Sequence, residues 1–315
     1  MSTNDKRGTL LIAPHQFPHL EREQKLADTF GLQLVAAADQ QAFSDGMADA
    51  VIVMVTPYGK VNETEFAKMT KCKAVVRYGM GYDNIDVSAA AKMGVLVSIV
   101  PDASSEEVAA HALAMGIALA RRLPQGQASI ANAGWAGTIA YDTPKLANLE
   151  VGIVGMGRIG RLTAGWWTSL GTKVKAYDPF AKFNDIAQAS LDEILENSDV
   201  VSLHLPLNAD TRDMISTKVL ERMRKSAVIV NVSRGGLIDE AALAHALRSG
   251  QIAGAALDVF AKEPLPGDNP LRDAPNLILT PHIAWRSNTS LGALQDGAVE
   301  RARKALSAEQ LPDLV

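Results

Sequence analysis

The sequence of 315 residues contains one cysteine, Cys72, so it cannot form an internal disulfide. This thiol stands beside the apolar run Ala74–Val76, and we expect it to be a small core residue rather than a nucleophile. Disulfide-stapled secreted folds are therefore excluded. The cysteine usage predicts a cytoplasmic protein.

Long apolar runs and an excess of positive charge are also missing. The stretch Leu113–Ala120, among the longest, falls well below the roughly 18 residues that span a bilayer. The 31 Lys and Arg against 35 Asp and Glu leave a net charge of −4, whereas nucleic acids and anionic membranes are bound by concentrated positive charge. The polar first residues, Met1–Gly8, do not make a secretory signal. We expect no membrane segment and no nucleic-acid partner.

The composition is that of a globular protein, with 47% hydrophobic and 21% charged residues. At about 150 residues per domain, the length predicts two domains. Short apolar runs alternate with longer helical patterns, which is typical of βαβ units and parallel sheets. The first series of predicted strands is Thr9–Ala13, Leu32–Ala38, Ala50–Val55, Lys73–Arg77 and Val95–Val100. The second series is Val151–Val154, Lys173–Tyr177, Val200–Leu205, Ala227–Val232, Ala255–Val259 and Leu277–Thr280.

Between the two series lies Ser104–Leu123, which predicts one long helix. Glu106 and Glu107 in its first turn and Arg121 and Arg122 in its last suit the helix dipole. Its interior is apolar on nearly every side, so we expect it to lie buried between two bodies, as the bridge from the first domain to the second.

The strongest local motif is the G-x-G-x-x-G spacing of Gly155, Gly157 and Gly160, which lies between an apolar strand and an amphipathic helix. The first glycine permits a tight turn, the second lets the backbone approach a pyrophosphate, and the third lets helix and strand pack closely. Asp178 ends the next strand, where a carboxylate binds an adenosine ribose and repels a 2′-phosphate. The second series therefore predicts a doubly wound, dinucleotide-binding α/β fold, with NAD favoured over NADP.

Four chemistry-bearing side chains follow later strands, at the edge where open α/β sheets bind ligands. Arg234 has a planar fork that can hold a carboxylate. His282 can act as acid and base near neutral pH. Asp258 and Glu263 are not distinguishable from surface carboxylates by spacing alone.

The other histidines do not indicate chemistry. Hydrogen-bonded structural roles are expected for three of them: His111, His204 and His245. His15 and His19 have the spacing of a ligand pair, but Pro18 breaks the helix that would align them. We expect no metal site.

Five motifs in this order resemble the D-isomer-specific 2-hydroxyacid dehydrogenase family, in particular the branch with the C-terminal-binding-protein corepressors and many bacterial 2-hydroxyacid dehydrogenases. The motifs are Arg77–Asp86, Val151–Gly160, Val230–Gly236, Asp258 with Glu263 and Pro264, and Thr280–Trp285. The resemblance covers nearly the whole chain. It implies a smaller, flavodoxin-like substrate domain, residues 1–102 and 288–315, into which a Rossmann-type NAD-binding domain, residues 103–287, is inserted. The last helical stretch, Leu291–Leu306, which no predicted strand follows, then belongs to the substrate domain.

The resemblance also implies roles at the reacting centre. Arg234 would bind the substrate carboxylate and polarise the 2-oxo group. His282 would protonate the carbonyl oxygen as hydride arrives, while Glu263 would hold its ring and favour its protonated form. The remaining implied substrate contacts are Tyr78, Gly79, Met80, Gly81 and Trp285.

A further set of residues is implied along the cofactor, with Asp258 near the nicotinamide. The other implied cofactor contacts are Ser104, Gly155, Gly157, Arg158, Ile159, Gly160, Asp178, Pro206, Thr211, Val232, Arg234 and His282. The resemblance also implies a homodimer formed through Glu107–Leu123 and Gly134–Pro144.

The expected activity is the reversible, NAD-dependent reduction of a small 2-oxo acid such as glyoxylate, hydroxypyruvate or pyruvate. Formate is disfavoured, because the similar formate dehydrogenases carry glutamine where this chain has Glu263. Arg286 replaces the small residue usual after Trp285. If it faces the site, it selects a dicarboxylate or phosphorylated substrate; if it faces solvent, it has no such role.

Two other functions stay open. An NAD-sensing interaction protein of the corepressor type keeps the same arginine, glutamate and histidine, and a phosphite dehydrogenase uses a similar site on another anion. The sequence ends at Val315 without a long tail for recruiting partners, so we expect the 2-oxo acid reductase rather than the sensor.

Overall fold

The computed structural model describes residues 8–139 and 143–315, which form two compact units. Unit 1 combines Met1–Ser104 with Ser287–Val315, and unit 2 is Ser105–Arg286. Residues 1–7 of the expected substrate domain, and residues 140–142 of the expected dimer segment Gly134–Pro144, lie outside the described residues.

The strands in chain order are β1 (Thr9–Ile12), β2 (Gln33–Ala36), β3 (Ala50–Val55), β4 (Ala74–Arg77), β5 (Leu96–Ile99), β6 (Glu150–Val154), β7 (Lys173–Tyr177), β8 (Ala187–Gln188), β9 (Val200–Leu203), β10 (Val228–Asn231), β11 (Gly254–Leu257) and β12 (Leu277–Leu279). Each predicted strand is present, with ends that differ by at most two residues. The alternation of apolar runs therefore located the sheets well.

The α-helices are α1 (Glu21–Phe30), α2 (Gln40–Asp45), α3 (Glu63–Lys68), α4 (Val87–Lys92), α5 (Ser105–Ala120), α6 (Leu123–Ala131), α7 (Arg158–Ser169), α8 (Leu191–Asn197), α9 (Thr217–Arg222), α10 (Glu240–Ser249) and α11 (Ser290–Leu306). Within the described part of the chain, none of them combines the length and the apolar character needed to cross a membrane.

Unit 1 is built on a parallel sheet in the order β2-β1-β3-β4-β5, which is the flavodoxin-like order. Its core contains the fully buried Phe43, Met47 and Phe66. The last helix, α11, belongs to this unit and packs against α1. Cys72 contacts the same core, and burial raises the pKa of its thiol to about 12, as befits a core residue.

Unit 2 is built on a parallel sheet in the order β12-β11-β10-β9-β6-β7-β8. The order reverses between β6 and β9, and ligands bind at the carboxyl ends of the strands at such a switch point. The sheet has one strand more than the six predicted. The extra strand, β8, is a two-residue edge strand with both residues exposed, so it carries no apolar pattern.

The predicted helix Ser104–Leu123 is wrong at its carboxyl end. The helix α5 stops at Ala120, and Arg122 adopts a left-handed backbone with φ of 54°. Pro124 then lies in the first turn of α6, where its fixed φ suits a new helix. Arg121 and Arg122 therefore connect two helices and do not form a last turn.

Within unit 2, α5 presents one face to the core. Val108, Met115 and Leu119 are buried there, while Ala110 and Ala114 are exposed. Burial of the helix on all sides stays a prediction.

Candidate active site

The glycine motif forms the turn between β6 and α7, at the switch point of the sheet. Gly155 has φ of 100°, and a Cβ there would lie 2.4 Å from the carbonyl oxygen of His204. A Cβ on Gly160 would lie 1.9 Å from the carbonyl oxygen of Gly155. By contrast, no other part of the described chain lies within 4 Å of a Cβ on Gly157. The turn thus offers open backbone at its middle glycine, where a pyrophosphate fits.

Asp178 follows β7 and is bonded to this turn. One carboxylate oxygen accepts a hydrogen bond of 2.7 Å from the backbone N–H of Met156, and the other accepts from Phe180 and Ala181. Partial burial raises the pKa of this carboxyl, but the three N–H donors and the charge of Arg161 outweigh it, so the pKa lies below its ordinary value. Asp178 is therefore ionised near neutral pH, as repulsion of a 2′-phosphate requires.

Other expected cofactor residues lie at the same edge of the unit 2 sheet. Thr211 donates from its hydroxyl to the carbonyl of Pro206 at 2.8 Å, so both belong to one loop after β9. Val232 is buried directly after β10. Arg158 is exposed and Ile159 is half-buried in the first turn of α7. Ser104 belongs to unit 1, as the last residue before α5.

Of the three histidines expected in hydrogen-bonded structural roles, His111 and His204 have side-chain partners, whereas His245 is exposed on α10. His204 lies 2.9 Å from the hydroxyl of Ser202, and burial lowers the pKa of its imidazole to about 4. His245 and His19 are exposed, and Nδ1 of His15 accepts from a backbone N–H. His111 lies in α5, 3.1 Å from the hydroxyl of Thr280. No group of three or more His, Cys, Asp or Glu side chains that could hold a metal ion occurs among the described residues.

Arg234 lies in the loop that follows β10. The buried side chain of Asn231 shapes this loop, because it donates to the carbonyl of Arg234 and accepts from the N–H of Ser233. A Cβ on the next residue, Gly235, would lie 1.8 Å from the carbonyl carbon of Phe260. The close approach of the two loops brings the positive charge of Arg234 near enough to lower the pKa of Glu263.

Glu263 and His282 form a pair, with Oε2 of the carboxylate 2.7 Å from Nδ1 of the ring. The other carboxylate oxygen of Glu263 accepts from the N–H of Phe260 at 3.0 Å. An ionised carboxylate only accepts, so Nδ1 carries a hydrogen and Nε2 is left as the nitrogen that can exchange a proton with a ligand. Both side chains are about one-third exposed, at 34% for His282 and 35% for Glu263.

The charge state of Glu263 follows from opposing effects on its pKa. Partial burial raises the pKa, while the hydrogen bond and charge of His282, the N–H of Phe260 and the charge of Arg234 lower it, and the lowering prevails. Glu263 is therefore a carboxylate at neutral pH, as a partner of an imidazolium must be.

Asp258 is fully buried, so it is not a surface carboxylate. It follows β11, and both of its carboxylate oxygens bind the 280–284 segment. Oδ1 accepts from the hydroxyl of Thr280 and the N–H of Ile283, and Oδ2 accepts from the N–H of Ala284. The sequence did not reveal this task, and the expected contact of Asp258 with a nicotinamide stays a prediction.

Trp285 and Arg286 continue the same segment. The indole N–H of Trp285 donates to the carbonyl of His282 at 3.1 Å. The guanidinium of Arg286 is exposed and lies over the Trp285 ring, 5.5 Å from its centre. A charge on this indole face is attracted by the ring.

The loop Tyr78–Gly81 lies in unit 1, after β4. Tyr78 is buried, and its hydroxyl donates to the buried carboxylate of Glu23 at 2.9 Å. Gly79 has φ of 114°, a conformation that favours glycine, and Met80 is exposed. This loop therefore has an anchored first residue and accessible backbone after it.

A doubly wound sheet with an open glycine turn and a histidine–carboxylate pair at one edge defines an NAD-binding oxidoreductase class. Residues 113–284 match the family model for the NAD binding domain of D-isomer specific 2-hydroxyacid dehydrogenases. This match covers more than half of the chain, so the chain belongs to that family.

Similar proteins include the D-3-phosphoglycerate dehydrogenase of Mycobacterium tuberculosis, which is 35% identical over 92% of this chain and 56% of its own length. The chain thus spans about half the length of that relative. The glyoxylate reductase of Korarchaeum cryptofilum is 36% identical over 85% of this chain and 82% of its own. Among solved structures, D-lactate dehydrogenase from Aquifex aeolicus, complexed with NAD and lactic acid, has a TM-score of 0.87 at 28% identity, covering 96% of each chain.

Proposed function

We propose that this protein is an NAD-dependent oxidoreductase that reversibly reduces a small 2-oxo acid, of the glyoxylate, hydroxypyruvate or pyruvate type, to the D-2-hydroxy acid. The observation that carries the proposal is the 2.7 Å contact between Glu263 and Nδ1 of His282. It lies at the sheet edge that also carries Arg234 and the glycine turn. Family membership supports it, because relatives include a glyoxylate reductase and D-lactate dehydrogenase.

His282 is the acid in the reducing direction. When bound, NADH supplies the hydride that adds to C2 of the acid. The ionised Glu263 keeps a hydrogen on Nδ1 and stabilises the imidazolium, so Nε2 holds the proton that is given to the carbonyl oxygen. In the oxidising direction the neutral ring takes that proton back.

Arg234 binds the substrate carboxylate through its planar guanidinium and polarises the 2-oxo group. Backbone N–H groups of Gly79, Met80 and Gly81 take the other carboxylate oxygen, and Trp285 borders the substrate, while the buried Tyr78 holds the start of this loop. The anchored Tyr78 supports this assignment, since a loop held at its first residue presents its N–H groups in a fixed direction.

The cofactor is NAD. The middle glycine of the turn, Gly157, offers the pyrophosphate an open approach. Asp178 is ionised and lies where a ribose binds, which opposes the 2′-phosphate of NADP. Asp258 acts near the nicotinamide through the segment that it holds.

The test is NADH oxidation by the purified protein with glyoxylate, hydroxypyruvate, pyruvate, oxaloacetate, longer 2-oxo acids and a phosphorylated one. We expect turnover with at least one acid and a loss of about 10²- to 10⁴-fold in His282→Ala, because positioned acid–base catalysis contributes that much. NADH affinity, measured by tryptophan fluorescence, is the control. Bound NADH without turnover of any acid would contradict the proposal and favour the sensor or phosphite alternatives.

We also propose that the protein is a cytoplasmic homodimer. The support for a dimer is α6, which buries none of its residues in the single chain and precedes exposed Trp135. Leu123, Ile130 and Trp135 are 59%, 56% and 77% exposed, so this stretch leaves three large apolar side chains uncovered in the single chain. Light scattering should give twice the chain mass, and Ile130→Glu should give the monomer. A monomeric wild type would contradict the dimer.

A further inference from the structure

Three side chains form a hydrogen-bonded series that contacts the segment carrying His282. None of the proposed steps uses the first of them, His111. His111 of α5 places Nε2 3.1 Å from the hydroxyl oxygen of Thr280. That hydroxyl is 2.5 Å from Oδ1 of Asp258. This hydrogen-bonded series, His111–Thr280–Asp258, thus joins the first helix of unit 2 to the carboxyl edge of its sheet.

The direction of each hydrogen bond follows from the donors available. The Thr280 hydroxyl has one hydrogen, which it donates to the Asp258 carboxylate. Towards His111 the same oxygen can only accept, so Nε2 of His111 must carry a hydrogen. The imidazole also lies 3.9 Å from the Asp258 oxygen.

At its other end, the series contacts the backbone on either side of His282. Asp258 accepts from the N–H groups of Ile283 and Ala284, and its own carbonyl accepts from the N–H of His282. His282 has φ of 54°, a left-handed conformation that a residue with a side chain adopts at a cost. Its ring direction therefore depends on the neighbours that keep this backbone in place.

We propose that His111 is a positioning residue: through Thr280 and Asp258 it holds the 280–284 segment so that His282 points its Nε2 at the reacting oxygen. This inference rests on the proposed function. His111 touches neither substrate nor cofactor in it. Its N–H fixes the Thr280 hydroxyl, and the fixed hydroxyl keeps the Asp258 carboxylate aimed at Ile283 and Ala284.

The first test compares His111→Leu, which has no donor, with His111→Gln, whose amide N–H can replace Nε2–H. We expect kcat to fall about 10- to 100-fold in His111→Leu, since small misplacements of a catalytic group have effects of that size. NADH affinity should fall much less than kcat, because the glycine turn and Asp178, where the pyrophosphate and the ribose bind, lie outside the 280–284 segment, although Asp258 is placed near the nicotinamide. His111→Gln should recover most of the lost kcat. His245→Leu, an exposed histidine on α10, is the matched control.

Wild-type kcat in His111→Leu would overturn the inference. So would an equal loss in His111→Gln, or a parallel loss of kcat and NADH affinity, because each indicates general damage rather than a missing donor. If His111→Leu does not fold, two variants of Thr280, the next residue of the series, provide the same comparison. Thr280→Val removes the hydroxyl, and Thr280→Ser keeps it.

A second readout does not depend on turnover. Exchange of the backbone amide hydrogens of Ile283 and Ala284 should be faster in His111→Leu than in wild type, and restored in His111→Gln. If wild type reduces none of the acids, the proposed function fails, while the exchange rates still decide whether His111 orders the segment. Unchanged exchange in His111→Leu would overturn the inference even in an active enzyme.

Discussion

Glu263 links the chemistry of the site to its stability. Its carboxyl has a pKa below the ordinary value of 4.5 in the folded chain, because attraction to His282, the Phe260 N–H and Arg234 outweighs burial. A lower pKa in the folded than in the unfolded state means that folding favours the ionised form. The stability it contributes is fully present above pH of about 4.5 and is lost as the pH falls through the folded pKa.

Glu263→Gln should therefore destabilise the protein more at pH 6 than near pH 3. The glutamine keeps a hydrogen-bonding group but removes the charge, so the difference in unfolding free energy from wild type should shrink on acidification. Urea unfolding at several pH values measures it. Glu221→Gln, an exposed residue on α9, is the control. A difference that is independent of pH would contradict the prediction.

The sequence pointed to Arg234, Glu263 and His282 because each follows a strand, and strand ends of a parallel sheet meet at one edge. It could not show that Asp258 binds the 280–284 backbone, since that contact joins residues more than twenty positions apart. His111 was expected to be a hydrogen-bonded helix residue, which it is, but nothing in the sequence names Thr280 as its partner.

The turn between β6 and α7 separates two kinds of glycine. A Cβ at Gly160 meets the backbone carbonyl of Gly155, which cannot move without opening the turn. A Cβ at Gly157 meets nothing within 4 Å in the described chain, and its φ of −72° suits any residue. One glycine is therefore needed by the fold, the other by the ligand.

Gly157→Ala and Gly160→Ala should consequently behave differently. We expect Gly157→Ala to keep the wild-type Tm but to bind NADH about tenfold more weakly, which corresponds to roughly 1.4 kcal/mol. Gly160→Ala should lower both Tm and NADH affinity. Thermal unfolding without cofactor and fluorescence titration with NADH distinguish the two. Equal Tm losses in both variants would refute this division.

The sequence predicted strands better than helix ends. Apolar strands buried on both faces are visible as runs, and all of the predicted strands are present. The break after α5 was missed because it depends on the left-handed backbone of Arg122, for which arginine gives no signal. The edge strand β8 was missed because two exposed residues show no periodicity.

The two units differ in how the chain builds them. Unit 2 is continuous in sequence, whereas unit 1 needs its last segment, Ser287–Val315, to complete its packing. Gln295 of α11 is fully buried and donates to the carboxylate of Glu23 on α1, which also accepts from Tyr78. A buried carboxylate with these donors thus ties the two distant parts of unit 1 together.

Tyr78→Phe tests this link. Burial, and then the charge and hydrogen bond of Glu23, raise the pKa of Tyr78, so its hydroxyl stays protonated and donates. Removal of the hydroxyl should lower the free energy of unfolding by about 1–3 kcal/mol, because Glu23 loses a donor where water does not replace it. The loss should appear as faster amide exchange in β1–β5, with exchange in β6–β12 and NADH affinity unchanged. Tyr58→Phe, at an exposed tyrosine of the same unit, should change neither, and faster exchange throughout both sheets would show that Glu23 does not stabilise unit 1 alone.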